Sequence, residues 1–269
     1  MSEQMAGRVR LRGPLSSLLA REEMGSGGRE PAGEPPAQLP GWLARTVLLG
    51  PGQDDRADGW QRIEDFLAPL CLQRRHRAVV LGLAPMNGGR EATQRCAWAL
   101  TALNVVGWTL APVLACAVDG LGPVTTWAHA LRVRAGESGP VDLGIRVPDV
   151  TEDPGPAAGE QCRGEAQLTG AEEFAGVLRD ALTGAGAPRV HVTSAIASAL
   201  NTVAADPLCR GQGCARLTSG MWRSLVPTTL GLGGPPGSEE FCRPSCCGLA
   251  ELAGDPGSAC GDCPSRHAR

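Results

Sequence analysis

From Thr46 to Val203 the apolar residues recur in two alternating rhythms. Short continuous runs alternate with stretches whose apolar positions lie three and four apart, the signatures of buried strands and amphipathic helices. This alternation constrains the fold more than any other feature of the sequence.

Residues 46–49, 78–83 and 113–118 are the continuous runs, and each is followed by a Gly, Pro or Asp turn. Residues 141–147 and 190–193 instead alternate apolar with polar, as half-covered strands do. Asp58 caps a helix with Gln61 at its third position, and Trp60, Ile63, Phe66, Leu67, Leu70 and Cys71 share one face. A second helix begins near Arg90 and carries Ala92, Cys96, Ala99, Leu100 and Leu103. Pro123 suits the start of a third, with Val124, Trp127 and Leu131. Thr169 with Glu172 opens a fourth, lined by Phe174, Val177, Leu178, Ala181 and Leu182 and ended by Gly184. Ser194 caps a fifth, with Ile196, Leu200 and Val203, and Pro207 stops it. Strand–helix alternation of this kind predicts an α/β domain over residues 45–206. Its form would be a Rossmann-like three-layer parallel sheet of about five strands with helices on both faces. Residues 1–44 read as a disordered N-terminal segment rich in Gly, Pro and Glu, and 207–269 as a Cys/Gly/Pro-rich, largely irregular tail.

The core has unusual building material. The chain has 3 Phe, 6 Trp and no Tyr, so Leu, Val and Ala must fill the interior. All 25 basic residues are arginine. Without lysine there is no Schiff base, P-loop lysine or lysine general base, which excludes pyridoxal-phosphate enzymes, Walker-type ATPases and ordinary protein kinases. A net charge of −3 gives no general attraction to nucleic acid. The densest basic stretch, Arg74, Arg75, His76 and Arg77, reads as a solvated helix end. No secretory signal opens the chain, so the 11 cysteines are expected reduced, in a cytoplasmic setting.

Residues 96–118 support a rival reading. They are uncharged, long enough to cross a bilayer, and preceded by Arg74, Arg75, Arg77, Arg90 and Arg95. Thr101, Asn104, Gly107, Thr109 and Pro112 argue against a span. A buried helix and strand account for the same residues.

Three groups of side chains have the composition of a site. In parallel sheets ligands gather beyond the strands' carboxyl ends. There Asn87, Gly88, Gly89 and Arg90 would offer backbone amides and one cation to an anion such as phosphate. Asp54, Asp55 and Asp119 would suit a hard cation such as Mg²⁺. In the tail, Cys242, Cys246, Cys260, Cys263 and His267 have spacings compatible with zinc, and Cys247 is an alternative partner to Cys246. His191 with Ser194 lacks the G-x-S-x-G setting of a hydrolytic serine and reads as a strand residue beside a helix cap.

Three functions are compatible with these features. The first is a soluble α/β protein that binds, and at most acts on, a small anionic ligand. The second is a G/C-rich reading frame without dedicated activity, consistent with the absence of Lys and Tyr and with only three Ile. The third is a single-pass membrane protein.

Overall fold

The computed structural model describes residues 45–49, 59–86, 89–118, 131–135, 141–146, 160–206, 220–224, 226, 234–255 and 262–264. Two of the five expected strands form where the sequence places them: β1 (Thr46–Leu49) and β4 (Val141–Arg146). The sheet is completed by β2 (Gln61–Arg62) and β3 (Leu131–Ala135) in the order β1-β4-β3-β2. β1 runs parallel to β4, whereas β3 is antiparallel to both β4 and β2. The fold is therefore mostly helical with a small mixed sheet, and the Rossmann-like five-stranded parallel sheet is overturned.

The remaining expected strands are helical. Residues 78–83 end α2 (Pro69–Leu83), which follows the short α1 (Ile63–Phe66). Residues 113–118 close α3 (Arg90–Val118), and 190–193 open α5 (Arg189–Ala205). A continuous apolar run cannot by itself distinguish a buried strand from a buried helix. The helix expected over 58–71 is split into β2, α1 and the start of α2. The helix expected from Pro123 lies outside the described residues until Leu131, which begins β3. α4 (Glu160–Gly184) starts well before Thr169, so that residue is internal rather than a cap. Its end is a glycine-dependent turn: Gly186 has φ 111°, and Ala187 N–H donates to Leu182 O at 2.9 Å.

α3 is the axis of the molecule. It packs against α2, α4, α5 and β4. Val105, Val106, Leu110, Val113, Leu114 and Ala117 are fully buried in one cluster with Leu131, Val133, Leu143, Phe174, Leu178, Ile196 and Leu200. α3 is long and apolar enough to cross a membrane, but two-thirds of its most apolar window (67%) is enclosed by the rest of the fold. Its polar residues are accommodated locally. Thr101 and Thr109 donate to Ala97 O and Val105 O, each at 2.7 Å, and Asn104 Oδ1 accepts from Arg75 at 2.6 Å. Pro112 sits inside the helix, which runs on through it although the proline has no amide to donate.

On the sheet's other face Asp142 receives Arg45 at 2.6 Å and Arg134 at 3.3 Å, and the Arg134 guanidinium lies over Trp60. A Cβ at Gly144 would lie 2.6 Å from Leu49 Cδ1 and 3.1 Å from the Trp60 ring, so those side chains would have to shift.

The basic stretch is not a helix end. It lies within α2, with Arg74 and Arg77 exposed but Arg75 and His76 buried. His76 stacks on Trp98 at 3.9 Å and lies 2.9 Å from Gln94 Oε1 through Nε2. Burial pushes its imidazole below the ordinary value, against the smaller upward pull of Gln94. The unfolded chain therefore takes up this proton first on acidification. The His76 contribution is full above the unfolded value and is lost as pH falls towards the lower folded one. The urea midpoint is expected to drop between about pH 7 and about pH 5, and His76→Gln to flatten that slope. An unchanged slope in the variant would show that His76 is not held neutral by the fold.

Candidate functional site

α5 is buried almost all round, yet it carries His191, Ser194, Ser198 and Asn201 at spacings of three, four and three. Residues so spaced share one helix face. This polar stripe receives the C-terminal tail. Ser194 Oγ donates to Ser245 O at 3.1 Å and accepts from Ser245 N–H at 3.3 Å. His191 Nδ1 lies 3.2 Å from Ser245 Oγ. Ser198 Oγ donates to Asp262 Oδ2 at 2.7 Å, and Asn201 Oδ1 accepts from Gly237 N–H at 2.8 Å. Apolar contacts support the dock. Phe241 and Val226 pack with Ala197, and Trp222 meets Phe241 edge-on at 5.7 Å. The tail also forms α6 (Leu249–Ala253), whose Leu252 packs on Leu83, Cys96 and Ala97.

Docking brings the two cysteine-bearing segments together. Arg243 N–H donates to Asp262 O at 3.0 Å, and the Arg243 side chain pairs with Asp262 Oδ1 at 3.0 Å. Cys246 Sγ and Cys263 Sγ then lie 3.4 Å apart. A disulfide would be ~2.05 Å. Two thiolates on one tetrahedral ion, with bonds of ~2.3 Å, would be about 3.8 Å apart. The observed separation lies between the two, at the distance of a thiol–thiol hydrogen bond. Gly248 N–H also donates to Cys246 Sγ at 3.3 Å. Cys247 is buried nearby, and with Cys246, Cys96, Arg95, His191 and Glu251 it borders a cavity of about 320 Å³.

The other thiols differ in character. Cys96 is buried on α3, and desolvation, reinforced by Cys247 and Cys246, pushes its pKa up to about 12. Cys242 is buried with its Sγ 3.7 Å from Arg243 O. Burial raises its pKa, Cys263 and Asp262 add to that, and Arg243 opposes it. Both are expected to stay protonated at neutral pH. Cys260 and His267 lie outside the described residues. Among the described residues no three His, Cys, Asp or Glu side chains are gathered into a metal site.

The loops expected to hold anions and cations give less. Asn87, Gly88, Asp54, Asp55 and Asp119 lie outside the described residues. Gly89 O accepts from Thr93 N–H at 3.0 Å and from its hydroxyl at 3.2 Å, so Gly89 opens α3, with Arg90 exposed after it. His191 and Ser194 are helical, and their polar atoms serve the tail. The sequence reading missed the α5 stripe and the Arg243–Asp262 pair. Four polar residues on one face of an otherwise apolar helix were the available signal, hidden by taking residues 190–193 as a strand.

No family model, curated protein or solved structure matches the chain.

Proposed function

We propose that the protein holds a cysteine-ligated iron–sulfur cluster in its docked tail and acts in electron transfer. The ligands are Cys246, Cys247, Cys260 and Cys263. The observation that carries the reading is the 3.4 Å approach of Cys246 and Cys263, two thiols brought together by a network of hydrogen bonds to α5.

An all-sulfur ligand set selects zinc or iron–sulfur chemistry. Two features favour the cluster. Cys246 and Cys247 are adjacent in the chain, which is awkward for chelating one ion but natural for ligands that reach different metal atoms. Both also border a cavity of about 320 Å³. Structural zinc sites are closed and need no such room. A cluster brings its own sulfides to fill space, and exposure of one edge gives electrons a short path to a partner. The helical domain serves as the rigid mount, the arrangement that precise sites need.

The test is metal analysis of the full chain purified without oxygen. Iron and acid-labile sulfide in equal amounts are expected, with visible absorbance that bleaches on reduction by dithionite. Zinc without sulfide would replace this reading with a structural zinc site, the second reading that the Cys260-x2-Cys263 spacing supports. A chain that takes up neither metal after anaerobic reconstitution overturns both.

A further inference from the structure

We infer that Cys246 and Cys263 form a thiol–disulfide exchange site, at which a small-molecule disulfide oxidises the pair to an intramolecular disulfide. The inference goes beyond the metal reading and needs only these two thiols. The two uses exclude each other, since a sulfur bonded to sulfur is no longer a thiolate ligand.

The first observation is how the two segments are held. Cys246 Sγ and Cys263 Sγ are 3.4 Å apart, against ~2.05 Å in a disulfide, so closure needs a movement of about 1.4 Å. Neither cysteine lies in a helix or strand, so a side-chain rotation and a small loop adjustment can supply it. The residue before each one is anchored. Ser245 exchanges two hydrogen bonds with Ser194, and Asp262 accepts from Ser198 at 2.7 Å. Ser194 and Ser198 lie one turn apart on α5. Arg243 N–H ties the segments directly by donating to Asp262 O at 3.0 Å. Two thiols 17 positions apart in the chain are thus gathered before any oxidant arrives, which makes the closing step effectively unimolecular.

The second observation is unequal access. Cys246 is half-buried and borders the cavity of about 320 Å³, whereas Cys263 is 1% exposed. That volume is at the lower end for small-molecule sites, which run from roughly 300 to 1,000 Å³, and suits a compact disulfide. Arg95 and Glu251 contribute one charge of each sign to the lining, so an uncharged compound is accommodated. Access sets the order of events. The Cys246 thiolate attacks one sulfur of R–S–S–R, forming a mixed disulfide and expelling one RS⁻. The Cys263 thiolate then attacks the Cys246 sulfur and expels the second RS⁻. The two thiol protons end on the two released RSH, and the two electrons lost by the cysteines reduce the R–S–S–R bond.

The test is incubation of the full chain, reduced and freed of metal by a chelator, with 2-hydroxyethyl disulfide, followed by peptide mapping. One linkage is expected, joining the peptides that carry Cys246 and Cys263, with two 2-mercaptoethanol molecules released per chain. Cys263→Ser should stop at the first step, with a stable mixed disulfide on Cys246. Cys246→Ser should react at least about tenfold more slowly, because the remaining thiol is enclosed. A wild type that halts at the mixed disulfide, or that links other cysteines instead, overturns the inference. Should the variants fail to fold, the wild-type map decides by comparison with the chain unfolded in urea. A Cys246–Cys263 linkage that gives way to mixed pairings in urea supports the site, and the same mixture in both conditions overturns it. The metal reading fails separately. A chain that binds no metal yet closes this linkage keeps the exchange site and loses the metal centre. A chain that loads metal but forms no such linkage once stripped loses the exchange site alone.

Discussion

Cys263→Ser is expected to abolish metal loading, leaving iron per chain at background, while Cys71→Ser leaves it unchanged. The contrast follows from where each thiol sits. Cys263 faces Cys246 at 3.4 Å on a segment pinned to α5, whereas Cys71 lies half-buried on α2. Metal affinity in a thiolate site is the sum over ligands held ready in one geometry, of order 10–16 kcal/mol for a four-ligand zinc site. Losing one of four thiolates removes enough of that to lose the metal during purification. Cys246→Ser should behave like Cys263→Ser. Cys242→Ala and Cys96→Ala should retain iron, because neither is among the proposed ligands. Loading also stabilises the native state by mass action, so Cys263→Ser should melt earlier than wild type, and by more than Cys71→Ser. Full iron in Cys263→Ser, or its loss in Cys242→Ala, would remove the proposed ligand set.

The Cys260-x2-Cys263 spacing and the adjacent Cys246 and Cys247 are visible in the sequence alone, and the structure adds the approach of Cys246 to Cys263. β1 and β4 were legible too, as their rhythm fits a strand and turns bound them. What failed was the choice between strand and helix for residues 78–83, 113–118 and 190–193. Their residues are apolar on every side, and only the surrounding packing decides the outcome. α3 continues through Pro112. α5 is covered by the tail on the side a strand reading would have left open. Arg75 and His76 turn inward because Asn104, Gln94 and Trp98 supply partners from a different helix. The Arg243–Asp262 pair joins residues on either side of a cysteine-bearing loop, so no short window of sequence contains it.

Leu114→Ala is expected to cost about 2–5 kcal/mol, enough to threaten a domain whose total stability is of order 5–15 kcal/mol. Leu114 is fully buried on α3, the helix touched by α2, α4, α5 and β4, so a cavity there cannot collapse without moving several elements. The scarcity of aromatics sharpens the effect. Phe66 and Phe174 are the phenylalanines of the main cluster, and the rest of its volume comes from aliphatic side chains, mostly Leu, Val and Ala. Each leucine therefore carries a larger share of the buried area than it would in an aromatic-rich core. Leu81→Ala supplies the matched control. It removes the same atoms from a site 74% exposed on α2, and should change stability by no more than about 0.5 kcal/mol. Urea unfolding of the two variants in parallel, with unchanged slope, measures the difference directly. The comparison also bears on the rival reading of α3 as a membrane span. A leucine facing lipid tails leaves no sealed cavity when truncated, so Leu114→Ala would then cost little more than the lost methyl contacts. Equal midpoints for Leu114→Ala and Leu81→Ala would mean that α3 is not the axis of a packed core. The mount on which the tail and its cysteines rest would then be lost with it.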